Sequence, residues 1–339
     1  MAVTIKDVAK KAGVATSTVS RTIQDHASIS EKTKKKVRLV MEELGYRPNL
    51  TARGLVKQNS RTIGVILPVS NGEVFQNPFF LEMIRGISKA CNEKKYMVAL
   101  ASGTTEDELL SSIETMAKGG RADGFIVLYS KKDDAIIEYL HAEKLHYAMI
   151  GKPYKYENDM LFVDNDNQLA GKDAANYLIH LNHTKIAYIG GDYNQMVTTE
   201  RLIGYRQALT EAQLEVNTDY ILSDSIDEKE YRQMVTALFL AEKRPTAIVA
   251  SDDLVAMSVS YLLKTIGLTV PDDVSIISFN NSIFAEKTQP ALTSIDVHID
   301  YLSSQVVLKL IELIEETLAL AMKLILPHKI VERDSCRPL

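Results

Sequence analysis

Two groups of residues in this 339-residue chain have the types and spacing to do chemistry. In the first, Thr16, Ser17, Ser20 and Arg21 share one arc of a segment laid out at 100° per residue, away from Val19 and Ile23. Small hydroxyls beside one guanidinium suit a helix lying in a DNA major groove. Arginine pairs bidentately with guanine O6 and N7, and hydroxyls are more permissive readers. Without DNA, the same arc is the solvated face of a small helical bundle. In the second group, polar residues follow predicted strands: the stretch from Pro68 to Asn77, Tyr129 and Ser130, Lys152, Asp192, Asp252 and Asp253, and Asn280 and Asn281. In open parallel sheets ligands sit beyond the carboxyl ends of the strands. With Phe75, Phe79, Phe80, Tyr129 and Phe284 nearby, these groups offer amides and carboxylates to hydroxyls and rings to apolar C–H faces, which suits a sugar. Alternatively, strand-end Asp and Asn simply cap the next helix, as Asp252 would cap the one from Leu254 onward.

Catalytic patterns are missing. There is no Walker-type phosphate loop and no G-x-G-x-x-G run, and neither the seven histidines nor Cys91 and Cys336 show metal or redox spacing. The chain is therefore expected not to be an enzyme and to need no cofactor or metal.

The first group needs a scaffold of short helices. Ile5, Val8, Ala9 and Ala12 form an i, i+3, i+4, i+7 stripe, and Gly13 permits a sharp turn into a helix over roughly Thr16 to Ile23. A third helix opens at Ser30, with Glu31 in its first turn, carries Val37, Val40, Met41 and Leu44 inward, and ends at Gly45 before Pro48. Charge supports contact with phosphate. Residues 1–60 hold 12 Lys and Arg against 5 Asp and Glu, a net +7 in a chain whose total is −5, so the remainder carries −12. Lys32, Lys34, Lys35 and Lys36 are either phosphate contacts or a solvated helix start.

The second group needs an α/β scaffold. Strands are expected at 62–67, 97–100, 124–128, 147–150, 185–190, 220–222, 247–250 and 275–279. Helices are expected at 79–94, 106–118, 135–143, 167–181, 201–212, 228–240, 252–266 and 301–320. This alternation predicts doubly wound parallel sheets, and its restart after Phe162-Val163-Asp164 predicts two such subdomains. Hydrophobic content of 46% suits a globular core, and no apolar run of 18 residues predicts a membrane span. An N-terminus without an apolar signal region and two unpaired cysteines lead us to expect a cytoplasmic protein.

Several motifs together resemble the LacI/GalR family of bacterial transcription regulators. They are Thr4-Ile5-Lys6-Asp7-Val8-Ala9, Ala12-Gly13-Val14, Ser17-Thr18-Val19-Ser20-Arg21, Ser30-Glu31-Lys32-Thr33, Leu44-Gly45-Tyr46-Arg47-Pro48-Asn49 and Ala52-Arg53-Gly54-Leu55. The likeness runs on to Val331-Glu332-Arg333-Asp334-Ser335. It implies a helix-turn-helix headpiece over 1–48, a hinge helix and linker over 49–60, and a periplasmic-binding-protein-like effector and dimerisation domain over 61–339. The subdomains would be about 61–162 with 296–324, and about 163–295 with 325–339.

In the implied complex Thr16, Ser17 and Arg21 read bases, and Leu55 wedges into the minor groove from a hinge helix over Asn49 to Lys57. Thr4, Ile5, Thr18, Ser20, Gln24, Ser30, Thr33, Tyr46, Asn49, Ala52 and Arg53 complete the DNA-facing candidates. Ala15 stands where the family often has Ser, which removes a capping hydroxyl and a phosphate contact. The implied effector contacts are Asn77, Phe79, Tyr129, Lys152, Arg201, Asp252 and Asn280. Arg201 would otherwise pair with a carboxylate, and Asn280 stands where many members have Asp. Gln76-Asn77-Pro78-Phe79-Phe80, Val163-Asp164-Asn165-Asp166-Asn167 and Ser278-Phe279-Asn280-Asn281-Ser282 resemble maltose-operon repressors of Gram-positive bacteria. The resemblance implies a homodimer on double-stranded operator DNA, controlled by maltose or a malto-oligosaccharide. The rivals are a regulator of another sugar operon and one controlled by a phosphoprotein.

Overall fold

The computed structural model describes residues 3–23, 25–46, 60–70, 73–224, 227–316 and 321–339. Two compact units divide the chain, Met1–Ser60 and Arg61–Leu339.

The first unit holds α1 (Ile5–Ala12), α2 (Thr16–Ile23) and α3 (Glu31–Glu43). Asp7 ties down the start of α1, its carboxylate accepting from the Thr4 amide at 2.9 Å and the Thr4 hydroxyl at 2.7 Å. Gly13 takes the left-handed conformation (φ 64°) that lets α2 turn across α1. Val8, Ala9, Ala12, Val19, Val37 and Val40 close a small core, where each fully buried valine contributes about 1.5–3 kcal/mol. Thr22 is buried with Val19, while Ile23 packs half-buried on the same core. One lysine of the basic run is structural: Lys34 is buried, its Nζ 3.0 Å from both Asp25 Oδ1 and Glu31 Oε1. It pins the loop before α3, whereas Lys32, Lys35 and Lys36 are exposed.

The second unit contains two six-stranded sheets. Strands β1 (Thr62–Ile66), β2 (Met97–Ala101), β3 (Gly124–Val127), β4 (Tyr147–Ile150) and β5 (Leu161–Asn165) join β11 (Lys323–Leu326) in the order β11-β5-β4-β3-β1-β2, all parallel. Strands β6 (Ile186–Ile189), β7 (Ile221–Leu222), β8 (Ala247–Ala250), β9 (Ser275–Phe279), β10 (Thr293–Asp296) and β12 (Lys329–Val331) form the second sheet in the order β12-β10-β9-β8-β6-β7, with only β12 antiparallel. Fully buried runs such as Ile63–Ile66 and Ala247–Ala250 are what sheets covered on both faces require.

The chain passes between the sheets after β5, after β10 and after β11. Because β5 and β11 stay paired through Asn165 and Leu326, two of these crossings fall two or three residues beyond the expected 162/163 and 324/325. Two helices differ from expectation. The one carrying Arg201 begins five residues early, at Met196, behind a loop with no Ser, Thr or Asp cap to announce it. The late helix spans Ile299–Ile314 rather than 301–320, its end marked by left-handed Glu316 (φ 56°). The short helix Ile283–Lys287 was not anticipated.

Candidate functional site

In the first unit Thr16, Ser17 and Arg21 stand exposed on α2, with Thr18 and Ser20 half-exposed beside them. The buried edge of α2 is Val19 and Thr22, so the polar arc faces away from the core as its spacing predicts. Ser30 caps α3, its hydroxyl accepting from the Thr33 amide at 3.3 Å and lying 2.9 Å from the Thr33 hydroxyl. Ile5 and Tyr46 pack half-buried on the core. Gln24, Asn49, Ala52, Arg53, Leu55 and the expected hinge helix lie outside the described residues.

In the second unit a cavity of about 270 Å³ opens between the two sheets at the carboxyl ends of their strands. Asn77, Phe79, Tyr129, Arg201, Asp252 and Asn280 all line it, as does Asp192. Lys152 does not. Its backbone amide donates to Asp164 Oδ2 at 2.8 Å, and its ammonium pairs with Glu200 Oε1 at 3.1 Å. The rule that ligands collect at strand ends locates a residue but does not aim its side chain. Phe75 and Phe284 are also absent from the lining, while Phe80 is present.

Asn77 and Asp252 show how one side chain does two jobs. Asn77 Oδ1 accepts from the Phe79 amide at 3.0 Å and caps the helix Pro78–Glu93 of the first lobe. Asp252 Oδ1 accepts from the Val255 amide at 2.8 Å and caps the helix Asp253–Thr265 of the second. The other arms meet across the cavity, Asn77 Nδ2 donating to Asp252 Oδ2 at 2.9 Å. Asp252 thus caps a helix with one oxygen and meets Asn77 in the cavity lining with the other. Backbone bonds join the lobes again at the rim, Lys132 N to Asn194 O at 3.0 Å and Met196 N to Ser130 O at 2.9 Å.

Arg201 is buried, and its guanidinium is held from three sides. Nε donates to Asn167 Oδ1 at 3.0 Å, Nη1 donates to the Ser251 carbonyl at 2.9 Å, and the Phe279 ring lies under the plane at 4.1 Å. This fixes a cation in a wall that also carries Asp164, Asp192, Asp224 and Asp252.

Asn280 reaches the wall from two successive left-handed residues, Asn280 (φ 95°) and Asn281 (φ 49°), a conformation that asparagine tolerates better than most. Asp253 holds that loop. It is buried and turned away from the cavity, accepting from the hydroxyls of Ser278 (2.6 Å) and Ser294 (2.7 Å) and from the Ser282 amide (2.7 Å).

Asp164, Asn167, Tyr188 and Asp224 were not among the sequence candidates for the site. Asp164 lay inside a motif already singled out, Tyr188 hides in an apolar strand, and Asp224 follows a strand of two residues. Burial pushes the Asp164 carboxyl up to about 7, although the amides of Lys152 and Asn165 donate to its charged form. Its folded pKa thus lies above the usual 3.8, so the stability this proton confers is present below about pH 4 and is lost as pH rises through 7. Between pH 4 and 7 the parent should therefore lose up to ~4 kcal/mol that Asp164→Asn does not lose, read as converging or crossing melting temperatures. Parallel profiles would show that Asp164 is ionised throughout.

Comparison with known proteins gives matches along the whole chain. Residues 4–49 match the bacterial regulatory proteins of the lacI family, and residues 175–336 match a periplasmic binding protein-like domain. An HTH-type transcriptional regulator MalR of Streptococcus pneumoniae is 36% identical over 336 residues, covering 98% of this chain and 100% of that protein. A putative transcriptional regulator LacI from Bacillus cereus subsp. cytotoxis superposes with TM-score 0.79 at 38% identity, covering 83% of this chain and 100% of that structure. A transcriptional regulator CelR–cellobiose complex superposes with TM-score 0.76 at 27% identity over 98% of this chain and 99% of that one.

Proposed function

The chain belongs to the lacI family of bacterial regulatory proteins, and from that premise we propose that maltose or a malto-oligosaccharide, seated between its two sheets, governs its hold on an operator. It is a DNA-binding transcriptional repressor of sugar utilisation and not an enzyme. The observation that carries the sugar is the cavity itself: carboxylates, amides and one fixed guanidinium alternate with Phe79, Phe80 and Tyr129. Polar groups of that kind pair with hydroxyls, and the rings stack on the apolar faces of a pyranose. Titration calorimetry with maltose tests it; saturable heat supports the assignment and its absence removes maltose.

In this reading Thr16, Ser17 and Arg21 read bases, while Asn77, Phe79, Tyr129, Arg201, Asp252 and Asn280, joined by Asp164 and Asn167, hold the sugar. Two copies of the headpiece read two half-sites, since a two-fold dimer matches a palindromic operator. Control is a coupling free energy between two sites, and it needs a sugar that binds the two lobe arrangements unequally. The Asn77–Asp252 bond is one source of that difference, because a sugar hydroxyl competes for both partners.

Arg21→Ala should cost roughly 1–3 kcal/mol at the operator and relax preference at one base pair. Fluorescence anisotropy on operator variants reads this, and equal losses on operator and random DNA would show that Arg21 only meets phosphate.

A further inference from the structure

The polar groups around the cavity are unequally shared between donors and acceptors. Asp192, Asp224 and Asp252 line it together with Asp164, against a single lining cation among the described residues, Arg201. Two of that cation's nitrogens are already committed to Asn167 and Ser251, and Lys152 is turned out to Glu200. Asp224 lies in the second-lobe wall, its Oδ1 accepting from the Gly191 amide at 2.8 Å. In the same wall the Tyr188 side chain is fully buried, and its hydroxyl has no hydrogen-bond partner.

A sugar hydroxyl both donates and accepts, so one ligand group answers the carboxylates and the Tyr188 phenol together. A phosphate monoester only accepts at neutral pH and carries a charge of about −1.5 to −2. It would satisfy Arg201 and Tyr188 but bring like charge against Asp192, Asp224 and Asp252, and like-charge juxtaposition is a strong means of excluding a ligand.

We infer that the cavity selects an unphosphorylated sugar and rejects its phosphate ester, and that Asp224 is the specificity-determining residue. This rests on the sugar reading above and deepens it. The effector then belongs before any phosphoryl transfer to the sugar, or after hydrolysis of a phosphomonoester. Burial and the neighbouring Asp252 both hold the Asp224 carboxyl above its ordinary range, the response of a carboxylate already short of positive charge.

The test is titration calorimetry of the full chain with maltose and with maltose 6′-phosphate at one ionic strength. Maltose should bind at least 30-fold more tightly than the ester. Asp224→Asn should narrow that ratio fivefold or more, whereas a folding defect would weaken both ligands alike. Asp192→Asn, read in the same way, is the second variant should Asp224→Asn fail to fold. Ester binding as tight as maltose or tighter overturns the inference and leaves sugar sensing intact. A ratio that the aspartate variants do not move overturns the role of the aspartates. Binding of neither ligand removes the maltose reading, and the inference with it.

Discussion

Gly204→Ala should lower the melting temperature of the Arg61–Leu339 unit by roughly 6–12 °C, although the same change on an open helix surface stabilises by about 1 kcal/mol. The helices Asn167–His180 and Met196–Glu211 touch backbone to backbone. A Cβ on Gly204 would lie 1.9 Å from the Gln168 carbonyl oxygen and 2.6 Å from the Lys172 amide, and one on Gly171 would lie 2.1 Å from the Arg201 carbonyl oxygen. No rotamer change relieves a clash with backbone, so the helices must move apart, at a cost of about 3 kcal/mol or more. The damage reaches the cavity, because Asn167 and Arg201 sit on these two helices and are joined by the 3.0 Å bond. Sugar affinity should fall with the melting temperature. A melting temperature unchanged or raised in a calorimetric scan would mean that the helices are not in contact as described.

Arg201→Ala should weaken sugar binding at least 100-fold, about 2.7 kcal/mol, and leave operator binding without sugar intact. The variant removes the only cation lining the cavity among the described residues and strands the Asn167 amide oxygen and the Ser251 carbonyl. Arg201→Lys keeps the charge but not the planar fork or the stacking on Phe279, so a loss of about tenfold or more is expected. Operator complexes of the alanine variant that still respond to maltose would remove Arg201 from the site.

Much of this architecture is legible in the chain because its signals are local. Ile5, Val8, Ala9 and Ala12 repeat at the helical period, Gly13 can take the left-handed turn, and Ser30 caps. The helices Glu106–Lys118 and Glu228–Leu240 and the strand Ser275–Phe279 lie where their patterns put them. What local patterns do not carry is side-chain direction and long-range pairing. Lys34 reads as one of a run of lysines until the fold brings Asp25 and Glu31 around it. Lys152 follows a strand as a cavity group should, yet its amide is drawn to Asp164 and its ammonium leaves toward Glu200. Asp224 enters the wall from a strand too short to show a period, and Tyr188 from one that reads as uniformly apolar.

Sugar-gated repression is tested most directly by a gel shift with DNA from upstream of the chain's own locus, with and without maltose and maltotriose. A specific complex that either sugar dissolves is the predicted result. A complex that ignores both sugars would contradict maltose as the effector, and failure to retard that DNA at any concentration that spares random DNA would contradict operator recognition at that locus.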